Sequence, residues 1–340
     1  MAKLYYDSDA DLNLLNGKTV AVFGYGSQGY AQSNNLRDSG VKVILGLRPD
    51  GNSFKKAKED GFEVYDFAEA ASKADIIHFL LPDENHFPVY EKIKEHVTSG
   101  KTLSCSHGLN FHFDIIKAPE GVDIIMMAPK APGATVRREF VNGFGVPSLV
   151  AVHTDASGKA IQTALALAKA NGTTKVGSFE TTFKDETETD LFGEQNVICG
   201  GAVYLMKTGF EVLTEAGYPP EIAYFECLHE LKLIVDLVYA GGIHGMSKNI
   251  SNTARFGQFL QGPKIVTEAA KKEMQEALTR IQDKTFVKGW IEEECWKNDL
   301  VNLNKSLDDC YDWPIEKVGR EIRQVAGLEE IVRGDESKAS

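Results

Sequence analysis

Hydrophobic positions along the chain follow two rhythms. In the first half, short apolar runs recur: TVAVF after Lys18, then residues 41–46, 75–81, 102–104, 122–128 and 147–152. Runs this short read as strands, and the helical patterns between them, near 67–72 and over 158–170, make them alternating units of a parallel sheet. The rhythm changes across residues 179–185, which mark the boundary. Beyond it the spacing predicts helices over 189–216, 220–239, 243–260, 264–296 and 314–326. Pro220 opens the second of these and Gly241-Gly242 closes it. The polar stretch 329–340 is expected to be disordered. The pattern therefore predicts an α/β domain over 1–182, an all-α domain over 183–328, and a tail.

Composition narrows the class. A chain of 340 residues, 43% hydrophobic and 25% charged, has the length for two cores and the balance of an ordinary globular protein. A net charge of -12 argues against nucleic acid or an anionic membrane as the main partner. The acidic start MAKLYYDSDADLNLL lacks the apolar core of a signal peptide, and no long uninterrupted apolar stretch suggests a membrane span. The five cysteines are widely spaced and form no CxxC pair, so a reduced, cytoplasmic setting is expected.

Candidate chemistry lies in two places. Gly24, Gly26 and Gly29 stand in G-x-G-x-x-G spacing between a strand and a helix, the context that makes this pattern a dinucleotide fingerprint. Gly24 allows the tight turn, Gly26 lets a pyrophosphate approach, and Gly29 lets the helix pack on the strand. At the end of the next strand an acid selects NAD and an Arg accommodates a 2'-phosphate; Arg48 holds that position, with Ser53, Lys55 and Lys56 nearby. Asp50 cuts the other way, so the loop favours NADP over NAD without settling it. His107 and Lys130 follow later strands, on the side where open parallel sheets bind ligands.

The second place is acidic. Asp190 and Glu194 are four residues apart, as are Glu226 and Glu230, and each pair shares a helix face among apolar neighbours. Like charges at that spacing repel, and burying them unpaired is costly, so a shared cation is the natural remedy. All-oxygen ligation suits Mg²⁺ or Mn²⁺; zinc would recruit His or Cys, of which only His229 and Cys227 lie close. Ion pairing to Lys or Arg, or exposure to solvent, would satisfy either pair equally well.

The segments GYGSQG, GLR with a following Ser, LLPDE, SHG, APKAPG, ETETDLFGEQ, ECLHELKLI and MSKNISNTAR, spread from Tyr5 to Ala326, resemble ketol-acid reductoisomerases of the short, class I type. The resemblance implies a Rossmann-type NADP-binding domain followed by an all-α domain of knotted type. It implies conversion of 2-acetolactate or 2-aceto-2-hydroxybutyrate to the 2,3-dihydroxy acid, with NADPH and two Mg²⁺ per site, in valine, leucine and isoleucine biosynthesis. Position by position, Asp190, Glu194, Glu226 and Glu230 match the metal ligands, Ser251 the substrate serine, and His107 and Lys130 the active-site histidine and lysine. Gly24, Tyr25, Gly26, Ser27, Gln28, Gly29, Arg48, Ser53, Asp83, Glu84, Asn85, His86 and Gly133 match the cofactor contacts, although 83–86 and Gly51 depart from the usual residues. Glu230 is the expected proton relay. The resemblance also implies a homodimer with sites shared between chains, and allows a dodecamer. A plain NADP-dependent hydroxy acid dehydrogenase would share the first domain, but would turn over in chelator.

Overall fold

The computed structural model describes residues 2–325, so the expected tail at 329–340 lies outside the described residues. The chain divides into two compact units, residues 1–189 and 190–340.

In the first unit the strands are β1 (Leu4–Tyr5), β2 (Thr19–Phe23), β3 (Lys42–Gly46), β4 (Glu63–Tyr65), β5 (Ile76–Phe79), β6 (Thr102–Cys105), β7 (Asp123–Pro129), β8 (Ser148–Thr154) and β9 (Ser178–Thr181). Among the described residues they form one sheet in the order β1-β9-β8-β7-β6-β5-β2-β3-β4. From β4 to β7 every pairing is parallel, while β7–β8 and β1–β9 are antiparallel, so the sheet is mixed where a parallel one was expected. Helices α1 (Ser27–Asp38), α2 (Asn52–Glu59), α3 (Phe67–Lys73), α4 (Asp83–Ile93), α5 (Leu109–His112), α6 (Gly133–Val141) and α7 (Ala160–Ala170) connect the strands. Alternation along β2 divides the core. Val20 and Val22 pack on one side with Ala164 and Leu167 of α7, and Ala21 and Phe23 on the other with Ala70 of α3 and Val89 of α4. The chain leaves β2 toward β3 and returns to pair β5 on its other side, and a sheet of this kind opens its ligand crevice at such a reversal.

Some elements carry no clear signal in the sequence, for local reasons. Pro82 stands at the N-cap of α4, where a missing N–H costs nothing, and the helix continues through Pro88. The short edge strands β1, β4 and β9 carry too few residues to show a period.

The boundary helix α8 (Phe183–Gly193) begins earlier than the expected 189 and continues through a π turn, Glu194–Ile198, into α9 (Gly201–Glu215). A Cβ on Gly200 or Gly201 would strike the carbonyls of Gln195 and Asn196, so glycine admits the wider turn. This run, Phe183–Glu215, is the one helix among the described residues that is long and apolar enough to cross a membrane by length and composition, a test that the core helix of a soluble protein also passes. Next come α10 (Pro220–Tyr224), a π turn Phe225–His229, and α11 (Glu230–Asn249), kinked at Gly242 with φ +67. The glycine pair thus bends this helix, where the sequence suggested a stop.

α12 (Asn252–Ile265) and α13 (Glu268–Gln282) are separate helices capped by Ser251 and Thr267. α14 (Thr285–Val287), a π segment Lys288–Lys297, α15 (Val301–Tyr311) and α16 (Pro314–Val325) follow. The long helix expected over 264–296 is broken by the Thr267 cap and by Lys284 at φ +70. One core cluster here gathers Phe210, Ala223, Tyr224 and Ile315, flanked by Met206, Leu213, Trp313 and Ile322, and Ile281, Val287 and Ile291 are buried besides. Many large apolar side chains stay outside it, with Tyr239 91% exposed and Val197, Ile198, Val235, Ile243 and Phe256 all more than half exposed.

Candidate active site

The glycine turn between β2 and α1 uses its three glycines differently. Gly24 sits at φ +103, and a Cβ there would lie 2.6 Å from the Leu80 carbonyl oxygen. A Cβ on Gly29 would strike the Gly24 carbonyl, so this glycine makes room for the turn itself, where helix-on-strand packing was expected. Around Gly26, the residue before α1, nothing lies within 4 Å of the position a Cβ would take. The turn therefore leaves open the approach a pyrophosphate needs, and the N-terminal N–H groups of α1 face it. Gly133 opens α6 against this turn: a Cβ there would strike Ser27.

Tyr25 and His86 are placed otherwise than a simple contact role implies. Tyr25 is buried and its hydroxyl donates to Asp60 Oδ2 at 2.7 Å, with burial and then that bond pushing its pKa well up. His86 is buried against Phe79, its Nε2 2.9 Å from the Leu81 carbonyl. Asp83, Glu84 and Asn85 form the first turn of α4, where two acids suit the helix dipole. At the end of β3, Arg48 is exposed and Gly51 donates its N–H to the Arg48 carbonyl at 3.0 Å; Ser53 lies in the first turn of α2.

His107 follows β6 and Lys130 follows β7, and α8 brings Glu186 to both. Lys130 Nζ donates to Glu186 Oε1 at 2.8 Å, and His107 Nδ1 lies 3.4 Å from Oε2. The Glu186 side chain is 1% exposed against 36% for Lys130, so this is a partly buried charge cluster open on the lysine side. Burial pushes the Glu186 carboxyl up, but the hydrogen bond and charge of His107, together with Lys130, hold it below the ordinary carboxylate value. The approach is tight: a Cβ on Gly108 would collide with Thr187 on the same helix. Glu186 is the residue sequence reasoning passed over, although it lies in the same acidic segment as Asp190; its helical position one turn before Asp190 was the available signal.

In the second unit Asp190 is half-buried, while Glu194, Glu226, Glu230 and Ser251 are exposed, so apolar neighbours in sequence do not enclose the carboxylates within one chain. Both acidic pairs are associated with π turns, a helical irregularity common at functional sites: Glu194 begins one and Glu226 lies in the other, with Glu230 directly after it. Ser251 Oγ accepts from the Ala254 N–H at 3.1 Å.

A Rossmann-type unit with a strand-end His–Glu–Lys cluster, followed by an acidic helical unit, defines a nicotinamide-linked oxidoreductase. Comparison with known proteins is more specific. The acetohydroxy acid isomeroreductase NADPH-binding domain matches residues 14–177, and the ketol-acid reductoisomerase C-terminal domain matches residues 183–327. The ketol-acid reductoisomerase (NADP(+)) of Akkermansia muciniphila is 56% identical over 323 residues, covering 95% of this chain and 98% of its own. The solved structure of an NADH-preferring ketol-acid reductoisomerase from an uncultured archaeon superposes with a TM-score of 0.91 at 49% identity, covering 95% of this chain and 99% of that one. A semialdehyde dehydrogenase NAD-binding protein from Cupriavidus necator shares the fold alone, at 16% identity and a TM-score of 0.60 over 78% of this chain and 99% of its own. The chain belongs to the ketol-acid reductoisomerase family, and its activity is the NADP-linked reductoisomerisation of branched-chain amino acid biosynthesis.

Proposed function

We propose that the chain acts on 2-acetolactate and 2-aceto-2-hydroxybutyrate with NADPH and two Mg²⁺ ions, as a cytoplasmic homodimer whose sites are shared between chains. The observation that carries this reading is the buried, ionised Glu186 holding Lys130 and facing His107 beyond the strand ends. Alkyl migration passes negative charge between two neighbouring oxygens. Lys130 supplies a positive charge beside them, and its hydrogen bond to Glu186 holds that ammonium in place. His107 can hold or return a proton at its ring nitrogen. Asp190, Glu194, Glu226 and Glu230 offer only oxygen, which fits a hard divalent cation; bound there, Mg²⁺ would polarise both substrate oxygens. Ser251 accepts from backbone, so its own hydroxyl proton remains for a substrate oxygen, and Glu230 is placed as the proton relay.

The open space at Gly26, with Gln28 and Gly133 beside it, supports the glycine turn as the NADPH site, and Arg48 and Ser53 support a reader of the 2'-phosphate. NADPH is expected to exceed NADH by about tenfold or more in kcat/KM, roughly 1.4 kcal/mol. Replacing Arg48 and Ser53 together by Asp should move the preference toward NADH by like-charge rejection. An unchanged ratio in that variant counts against this loop as the reader.

The dimer is supported by the apolar faces the second unit leaves exposed, around Val197, Ile198, Val235 and Tyr239. Asp190 and Glu194 of one chain would then meet Glu226, Glu230 and Ser251 of the other. The test is complementation, followed as Mg²⁺-dependent NADPH loss with acetolactate. Asp190→Asn and Glu230→Gln are each expected to be inactive alone. Refolded together, they should regain roughly a quarter of the sites, because half the dimers are mixed and one site in each carries neither lesion. A mixture that stays dead refutes the shared site, whereas wild-type turnover in chelator refutes the metal reading.

A further inference from the structure

Beneath the candidate site runs a line of side chains whose hydrogen-bond direction can be worked out from its ends. The carbonyls of Ala131 and Met127 can only accept. Gln28 Nε2 donates to Ala131 O at 2.9 Å, so Gln28 Oε1 is the atom that accepts from Gln32 Nε2 at 3.0 Å. Gln32 Nε2 spends its second hydrogen on Ser106 Oγ, also at 3.0 Å, and Ser106 passes its own hydrogen to Met127 O at 2.8 Å. Gln32 Oε1 is left to accept from His78 Nε2 at 2.9 Å. Gln32 and His78 are wholly buried. Burial brings the His78 pKa down to about 4, against a smaller upward pull from the Ser104 backbone, so the ring is neutral and carries its proton on Nε2.

The line joins three segments that the fold leaves separate. Gln28 lies in the first turn of α1; Ser106 precedes His107 after β6; Ala131 follows Lys130 and precedes Gly133, which presses on Ser27. One amide on the inner face of α1 therefore touches both the cofactor turn and the His107 loop. A glutamine hydrogen-bonded on both its oxygen and its nitrogen inside an apolar core is costly unless every bond is made, so its position is tightly held.

We propose that Gln32 is a positioning residue for the reaction: its amide fixes the spacing between the nicotinamide-cofactor turn, through Gln28, and the His107 loop, through Ser106. Only the Ser106 arm rests on the reading of His107 given above; the Gln28 arm rests on the glycine turn.

The arms separate by experiment. Ser106→Ala cuts the His107 arm at a partly exposed position and is expected to lower kcat about tenfold while the NADPH Kd, followed by fluorescence, stays within twofold. Gln32→Met cuts both arms and should lower kcat similarly and raise the NADPH Kd about tenfold. The double variant should be no slower than Gln32→Met alone, because both remove the same contact. Multiplying losses in the double variant, or wild-type kcat in Ser106→Ala, would overturn the proposal. Should Gln32→Met fail to fold, Ser106→Ala decides the first arm, and the near-isosteric Gln32→Glu, which keeps an acceptor toward His78 but loses the N–H donors to Gln28 and Ser106, decides the second by the same rise in NADPH Kd, an unchanged Kd overturning it. His107→Ala run in parallel distinguishes the two readings: wild-type kcat there removes the role given to His107, while the NADPH arm still judges Gln32.

Discussion

Asp190→Asn is expected to abolish isomerisation, with kcat/KM for acetolactate falling at least about thousandfold, roughly 4 kcal/mol of transition-state stabilisation. The exchange keeps the shape of the side chain and replaces a charged oxygen pair by one neutral oxygen and a donor, which a hard cation binds poorly. Asp190 is half-buried on α8, so the helix itself should survive the change. The cofactor turn belongs to the other unit, and the NADPH Kd should stay within about twofold. Reduction of a 3-hydroxy-2-keto acid can be followed apart from isomerisation, which shows which half of the chemistry is lost. An Asp190→Asn enzyme that isomerised acetolactate near the wild-type rate would refute the metal-binding role proposed for this carboxylate.

Gly29→Ala and Gly26→Ala should fail in opposite ways. At Gly29 the added methyl would occupy the place of the Gly24 carbonyl, and since both are backbone neighbours the turn must open. A fall in Tm of at least about 5 °C is expected, together with loss of measurable NADPH binding. At Gly26 the backbone has φ -80 and the methyl meets nothing within 4 Å, so Tm should hardly move. The same methyl would stand where the pyrophosphate approaches, and the NADPH Kd should rise at least about tenfold. Equal behaviour of the two variants, in thermal scans and NADPH titration, would contradict this division of labour.

The glycine turn could be read from sequence because its constraints are local: a strand, three missing side chains and a helix start lie within a dozen residues. The acidic pairs showed for the same reason, being one helical turn apart. Glu186 did not, because its role is made by Lys130 and His107 arriving from two other strand ends. Gln32 and His78 were equally silent, since a polar residue in a helix or strand carries no sign of the partner it will meet. The sequence suggested enclosure of the carboxylates through their apolar neighbours, but several of those neighbours are exposed themselves, with Ile198 and Tyr204 at 61%. Burial is a property of the packed surface, and hydrophobic spacing reports only which residues would profit from it.

The π turns at Glu194–Ile198 and Phe225–His229 are places where a helix holds one residue more than an α-helix would. Cys199 N–H donates to the Glu194 carbonyl five residues back at 3.0 Å, and a turn this wide carries fewer degrees per residue. The surplus residue is taken up within the turn, so the helix beyond it faces nearly the side it would face without the bulge. Removing one residue from either turn would restore an uninterrupted α-helix without exchanging a charge or an apolar residue, and what would be lost is the local widening beside the carboxylates. In these segments the spare residue belongs to the site and not to the helix that carries it.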